Sequence, residues 1–370
     1  MITATIPVQV ATIEAGTSTR QQNITSPARR VAVGRIIRVG VAAGLTALLL
    51  WQSDPRAVWE AARGADWRFI LLACALVAID RVLMAYRWWT LLGPVGRPEG
   101  RHYDSTLRNA HGEVASAVRS ADLQVGRRPP LGTVMRVFFV STFVGTFLPA
   151  SVGGDAVRAY GLSKEGVGGA DAIASVLMDR LLGVISILIV AIAGAILARA
   201  LIDIRALFPA FAFLIVLCAA ALAIVFSPRA AVAAAGVLAL LPRGRETGNR
   251  LVSSIQRYAT AHGAMANVLT CSLAVQVLRV LQTYCLGLSL GLTVPLGVYF
   301  ALVPIILLIV LMPITINGIG TTQAGFVWLF GRAGVGDAAA FALSVLFLAI
   351  AIVGNLPGAA LYLKGSKTKI

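Results

Sequence analysis

Negative charge is scarce in this sequence. Of 370 residues only 16 are Asp or Glu, against 32 Lys or Arg, and charged residues of both signs make up 13% of the chain. A composition that is 58% hydrophobic with a mean hydropathy of +0.83 argues against a soluble domain and places the chain among polytopic membrane proteins. Cysteine is sparse too. Cys74, Cys218, Cys271 and Cys285 each sit inside an apolar run with no CxxC pair, which argues against a disulfide framework or a zinc site and leaves them as small packing residues. The three histidines, His102, His111 and His262, have no HExxH-like spacing, so neither a metal nor another cofactor is expected. Also missing are a DDxxD-like acidic cluster and an intramembrane histidine. A membrane-embedded lipid transferase would draw on one or the other for metal or base chemistry, so a non-enzyme is the first expectation.

What is present in excess is arginine. A net charge of +16 would point to nucleic acid in a soluble protein, but here the basic residues gather between the hydrophobic runs, as cytoplasmic loops require. Membrane lipid, not nucleic acid, is therefore the expected partner.

The chain divides by composition. Residues 1–33 read as a disordered cytoplasmic tail and 34–92 as two transmembrane helices, Ile36–Trp51 and Phe69–Leu92. The first run lacks a small-x-small cleavage site and reads as a retained helix, and YRWW at 86–89 closes the second as an interfacial cluster. Residues 93–130 form a polar cytoplasmic loop with room for a short amphipathic helix, a candidate partner-binding segment. Residues 131–363 form the main membrane domain, and 364–370 a basic cytoplasmic tail. The fold class expected is all-α, a polytopic bundle of about six to eight membrane segments.

Parity shapes the topology. If 93–130, 243–257 and the tail lie on one side, the runs Val134–Leu148, Ile173–Leu197 and Leu207–Phe226 must make an even number of crossings. One solution has Val134–Tyr160 enter the membrane, turn at Pro149–Gly154 and leave by the same face. The other makes Ala230–Leu241 a full span, although twelve residues at ~1.5 Å each cover only ~18 Å of a ~30 Å core. The same count in the C-terminal half, with Val268–Leu290 and Ala338–Leu363 already paired, makes Leu296–Phe330 a second candidate hairpin. Its break, LMPITINGIG at 311–320, echoes FLPASVGGDA at 147–156, with a glycine five residues after each proline, Gly154 or Gly318. Such paired interruptions point to a transport site built from broken helices; the plainer reading is two kinked or terminated spans.

Charges inside the runs mark candidate site residues, because a membrane-buried charge normally faces a bundle interior or a water-filled cavity. Asp80 and Arg81 lie mid-run, Asp155 and Arg158 share a helical face, and Asp179 and Arg180 stand about two turns into their helix. Each pair either neutralises itself or lines a path. Arg279, with Gln276 and Thr283 on its face, has no acid within helical reach, so it needs an acid from another helix or an anionic ligand, for which a guanidinium is a suited fork. Backbone amides at Gly153, Gly154, Gly318 and Gly320 would add donors. Asp155 would either accept an amino group on a head group or hold Arg158 in place.

The stretch FFVSTFVGTFLPASVGGDAVRAYGL, followed by ASVLMDRLLGV at 174–184 and INGIGTTQAGFVWLFGRAGV at 316–335, resembles the membrane region of lysylphosphatidylglycerol synthases and their stand-alone relatives. The resemblance runs over roughly 130–363, with RWWTLL at 87–92 as a weaker upstream match. It implies a flippase moving a lipid between leaflets of the cell membrane, without the soluble domain that makes the aminoacylated lipid. Two departures stand out: Gln323 occupies a position that is usually acidic in that family's GxGxxE motif, and the polar insert at about 97–130 is long. The function expected is translocation of an anionic, aminoacylated or polyprenyl-phosphate-linked lipid. The alternatives are a non-transporting accessory subunit of a cell-envelope lipid or glycan system, and a membrane-embedded lipid transferase.

Overall fold

The computed structural model describes residues 63–95, 128–147, 152–197, 204–238, 244–311 and 319–366, with a few isolated positions besides. The N-terminal tail, the run Ile36–Trp51, the loop from 96 to 127, Pro149, Gly318 and residues 367–370 lie outside the described residues. Everything described is helical or connecting chain, with no strand among the described residues.

Three long helices form the frame: α1 (Trp67–Val95), α4 (Gly169–Leu197) and α8 (His262–Ser289). At ~1.5 Å per residue each exceeds 40 Å, more than the ~30 Å a bilayer core demands. α1 and α8 lie antiparallel. The Asp66 amide donates to the Ser289 carbonyl at 2.8 Å at one end, and Arg87 donates to Ser272 Oγ at 2.8 Å toward the other. α4 is tied to both: Trp88 Nε1 donates to Ser175 Oγ at 3.2 Å, and Gln276 Nε2 donates to Ser186 Oγ at 3.2 Å. Short polar side chains thus join apolar helices where hydrophobicity alone would not choose a partner.

Four stretches are long and apolar enough to cross a membrane: Trp67–Gly93, Gly169–Leu197, His262–Ser289 and Asp337–Leu363. The last combines α11 (Asp337–Val353) and α12 (Leu356–Ser366) across a turn at Gly354 and Asn355. α5 (Ile204–Phe226) and α6 (Pro228–Leu238) are sharply bent, Phe211–Phe226 meeting Pro228–Val237 at 105°. Pro228 opens α6, where its missing N–H costs no hydrogen bond. The described part of the run expected at Ala230–Leu241 ends with α6 at Leu238 and belongs to a bent pair that counts at most once as a span.

α2 (Leu131–Phe147) and α3 (Val152–Lys164) pack as a helical hairpin. Its contacts step in opposite senses along the two helices. Gly145 meets Gly154 near the tip, Val137 meets Gly161 lower down, and Arg136 Nη2 pairs with Glu165 at 2.6 Å at the open end. A Cβ on Gly145 would come 3.0 Å from the Gly154 Cα, so the two helices approach backbone to backbone.

A second antiparallel hairpin is made by α9 (Leu296–Leu311) and α10 (Thr321–Arg332), with Ile306 against Gly325 and Tyr299 against Phe330, ring centroids 5.1 Å apart. Gly320 precedes α10 with φ +87°, a conformation that strains any L side chain. Leu302, Ile306, Phe326 and Phe330 join Leu286 and Ile187 in the largest apolar core, which seats this hairpin on α4 and α8. The first hairpin packs through Phe138 and Leu162 against Trp88 of α1 and Val176 of α4.

The open end of the first hairpin shares one end of the bundle with α7 (Gly244–Gln256) and the 3-10 turn Arg257–Thr260. There Asp171 takes hydrogen bonds from Ser254 Oγ, at 2.6 Å, and from Arg257. Tyr258, fully buried, donates to the Leu91 carbonyl at 3.0 Å. Burial pushes its phenol well above the ordinary range, which keeps it a hydrogen-bond donor at any physiological pH.

Candidate functional site

A cavity of about 540 Å³ opens between the first hairpin, the middles of α1, α4 and α8, the break of the second hairpin and the end of α11. Both glycine-interrupted segments reach it, the first through Gly145 and Gly154, the second through Leu311 and Ile319. Its depth follows from helix geometry. Arg180 stands eleven residues after Gly169 in α4, about 17 Å from the helix start, and Arg279 stands ten residues before Ser289, about 15 Å from the end of α8. Arg180 and Arg279 therefore lie in the middle third of two helices long enough to cross the membrane.

Its walls carry Arg87, Arg158, Arg180 and Arg279 against Asp155 and Asp179. The buried centre is Asp179. Its Oδ1 accepts from Arg87 Nε at 2.8 Å and lies 2.8 Å from Arg87 Nη2, while its Oδ2 accepts from Arg158 Nη1 at 3.2 Å. The three side chains are only 3%, 5% and 8% exposed. Arg158 also lies over the rings of Phe138 and Trp88, at 4.7 and 5.0 Å, an arrangement that stabilises a cation removed from water. Nearer the opening, Asp155 receives Arg180 in a two-pronged contact, Nε to Oδ2 at 2.8 Å and Nη2 to Oδ1 at 3.0 Å, with the Arg180 side chain 45% exposed.

These pairings correct two of the three intrahelical readings; only Asp80 and Arg81 keep each other, at 3.4 Å. Asp155 does not neutralise Arg158, nor Asp179 its neighbour Arg180. Adjacent helical residues diverge by about 100°, and here Asp179 points to Arg87 and Arg158 while Arg180 points to Asp155. α3 packs against α4, and each charge finds its opposite across that contact.

Arg279 has the partner on another helix that its isolation required, but a loose one. Its Nε is 3.7 Å from Asp80 Oδ1, beyond hydrogen-bond distance, and Nη2 meets the Met84 sulfur at 3.6 Å. Asp80 is itself 3.4 Å from Arg81 Nη1, and its Oδ1 accepts no hydrogen bond among the described residues. Arg279 thus keeps donors for something else.

Of the backbone donors, Gly153 and Gly154 lie in the first turn of α3 beside Asp155, and Gly154 lines the cavity. Gly320 does not supply the donor expected of it. Its amide is buried and donates to Gln323 Oε1 at 2.6 Å, so Gln323 closes the N-terminus of α10 instead of facing the cavity. Gly318 lies outside the described residues.

The sequence reading missed Arg87, taken there as part of an interfacial aromatic cluster; it is 4% exposed and central. A usable signal existed. Asp80 and Arg87 stand seven residues apart on α1, and Ser272, Gln276 and Arg279 follow i, i+4, i+7 spacing on α8, so the polar residues of each helix share one face. Asn355, whose Nδ2 donates to Thr146 Oγ1 at 3.0 Å, was also missed and ties the end of α11 to the first hairpin. Two amide oxygens on cavity-lining residues, Gln276 Oε1 and Asn355 Oδ1, have no donor among the described residues.

The family described as lysylphosphatidylglycerol synthase TM region matches residues 35–358. The chain belongs to this family. No curated protein and no solved structure matches it. As a lysylphosphatidylglycerol synthase TM-region protein it is a multi-pass membrane protein linked to lipid biosynthesis or translocation. Its matched region includes every charge that lines the cavity.

Proposed function

We propose that this protein translocates a phosphate-bearing lipid between the leaflets of the cell membrane, with the head group passing through the arginine-lined cavity and the chains staying in the bilayer. One observation carries the reading: four arginines and two aspartates line an open cavity at mid-helix depth. Each charge there costs at least ~2.5 kcal/mol to place in lipid, so the cluster needs a hydrated or ligand-filled cavity. Arg180 and Arg279 are the residues to hold the phosphate, because both remain partly exposed while Arg87 and Arg158 are committed to Asp179. In this reading the first hairpin enters from the cytoplasmic face and the second from the opposite face, so that each closes one side of the path. The polar segment 93–130 is the candidate site for a membrane or cytoplasmic partner.

The test is lipid flux in proteoliposomes with a fluorescent phospholipid. Wild-type protein should speed leaflet exchange, and Arg279→Gln should slow it at least tenfold while eluting as the same monodisperse species. Wild-type protein that moves no lipid would favour the accessory-subunit alternative.

A further inference from the structure

The charge balance of the cavity carries a statement about which head group it takes. Among the described residues four arginines face two aspartates, leaving two positive charges unmatched. Adding the adjoining pair Asp80 and Arg81 changes nothing, since it adds one charge of each sign. Both lining carboxylates are already engaged by arginine. Asp155 has both oxygens on Arg180, and Asp179 has one on Arg87 and the other on Arg158. Gln323, in the second glycine motif, is turned onto the Gly320 amide and is absent from the cavity wall.

We infer that the head group taken by this cavity is a lipid phosphomonoester or diphosphate bearing two or more negative charges, not an aminoacylated or zwitterionic one. This rests on the lipid-translocation reading above. A cationic amino group would meet four guanidinium groups and, on the described cavity wall, no carboxylate that is not already paired with arginine. The unpartnered oxygens of Gln276 and Asn355 can accept hydroxyl or water hydrogens but carry no charge to offset an ammonium. A phosphodiester of charge −1 would leave one positive charge unmatched in a low-dielectric site. A terminal phosphate matches both and offers three oxygens, enough for the free donors of Arg279 and the remaining Arg180 nitrogen together.

The decisive measurement is affinity of the purified wild-type protein for four probes, read as thermal stabilisation over a concentration series. The probes are phosphatidic acid, phosphatidylglycerol, lysylphosphatidylglycerol and inorganic phosphate, the lipids matched in acyl chains. Phosphatidic acid should bind at least tenfold tighter than phosphatidylglycerol, and lysylphosphatidylglycerol weakest of the three lipids. Between pH 5 and 8 the apparent Kd for phosphatidic acid should fall, because a phosphomonoester gains its second charge near pH 6 while arginine stays protonated; that for phosphatidylglycerol should stay flat. Equal affinity for the first two lipids, or a preference for the lysyl lipid, would overturn the charge assignment while leaving lipid translocation standing. Stabilisation by inorganic phosphate as strong as by phosphatidic acid would show a simple anion site and overturn the lipid assignment. Lack of stabilisation by any lipid, together with no flux, would remove the translocation reading itself.

Discussion

Asp179 holds two guanidinium groups and is the most costly residue of the cavity to alter. Neutralising it strands the buried Arg87 and Arg158, so Asp179→Asn should lose about 3–5 kcal/mol, seen as a large drop in melting temperature in detergent. Asp155→Asn should cost about 1 kcal/mol or less, since its partner Arg180 is nearly half exposed. Equal losses in the two variants would mean that Asp179 is not the buried centre of the network. At this scale the charged residues were legible in the sequence but their partners were not. Helical spacing tells which side chains share a face, and the pairs here form between faces of different helices.

The hairpins are the elements on which the topology turns. Both were legible from parity and from the proline and glycine breaks, because a short apolar run cannot satisfy its backbone across a full membrane unless it folds back or continues as helix. Cysteine labelling tests their sidedness. Lys164→Cys, at the exposed open end of the first hairpin, should react with an impermeant thiol reagent only once the cytoplasmic face is opened, as should Arg250→Cys on α7. Arg332→Cys, at the exposed far end of α10, should react from outside in intact cells. Labelling of position 164 from outside would remove the re-entrant reading of 131–164. Gly161 is unsuited to this experiment, because a Cβ there would lie 2.9 Å from Val137 Cγ1 and force the hairpin apart.

For the molecule as a whole, ligand binding and stability are linked. If the cavity holds an anionic lipid, a concentration of a hundred times Kd should stabilise the wild type by about 2.7 kcal/mol. Arg279→Gln should fold, because its contact to Asp80 is long and partly exposed, yet lose most of that gain. Calorimetry in detergent with and without phosphatidic acid compares the two. Equal stabilisation of both proteins would take Arg279 out of the lipid contact.

Composition and periodicity by themselves determined the class of this protein. A chain with so few acids and such long apolar runs has to bury its backbone in helices within lipid, and the positions of its breaks and charges follow from reading along one dimension. What only the tertiary structure decided is which charges answer which. It took the crossing of α3 with α4 to hand Asp155 to Arg180 and Asp179 to Arg158, and the antiparallel pairing of α1 with α8 to bring Arg87 to Ser272 and Arg279 near Asp80. The same packing turned Gln323 inward to cap its own helix and left two positive charges over in the cavity. The reason is geometric. Electrostatic energy at low dielectric depends on distances of a few ångströms between residues far apart in the chain, and no local spacing rule reports those distances.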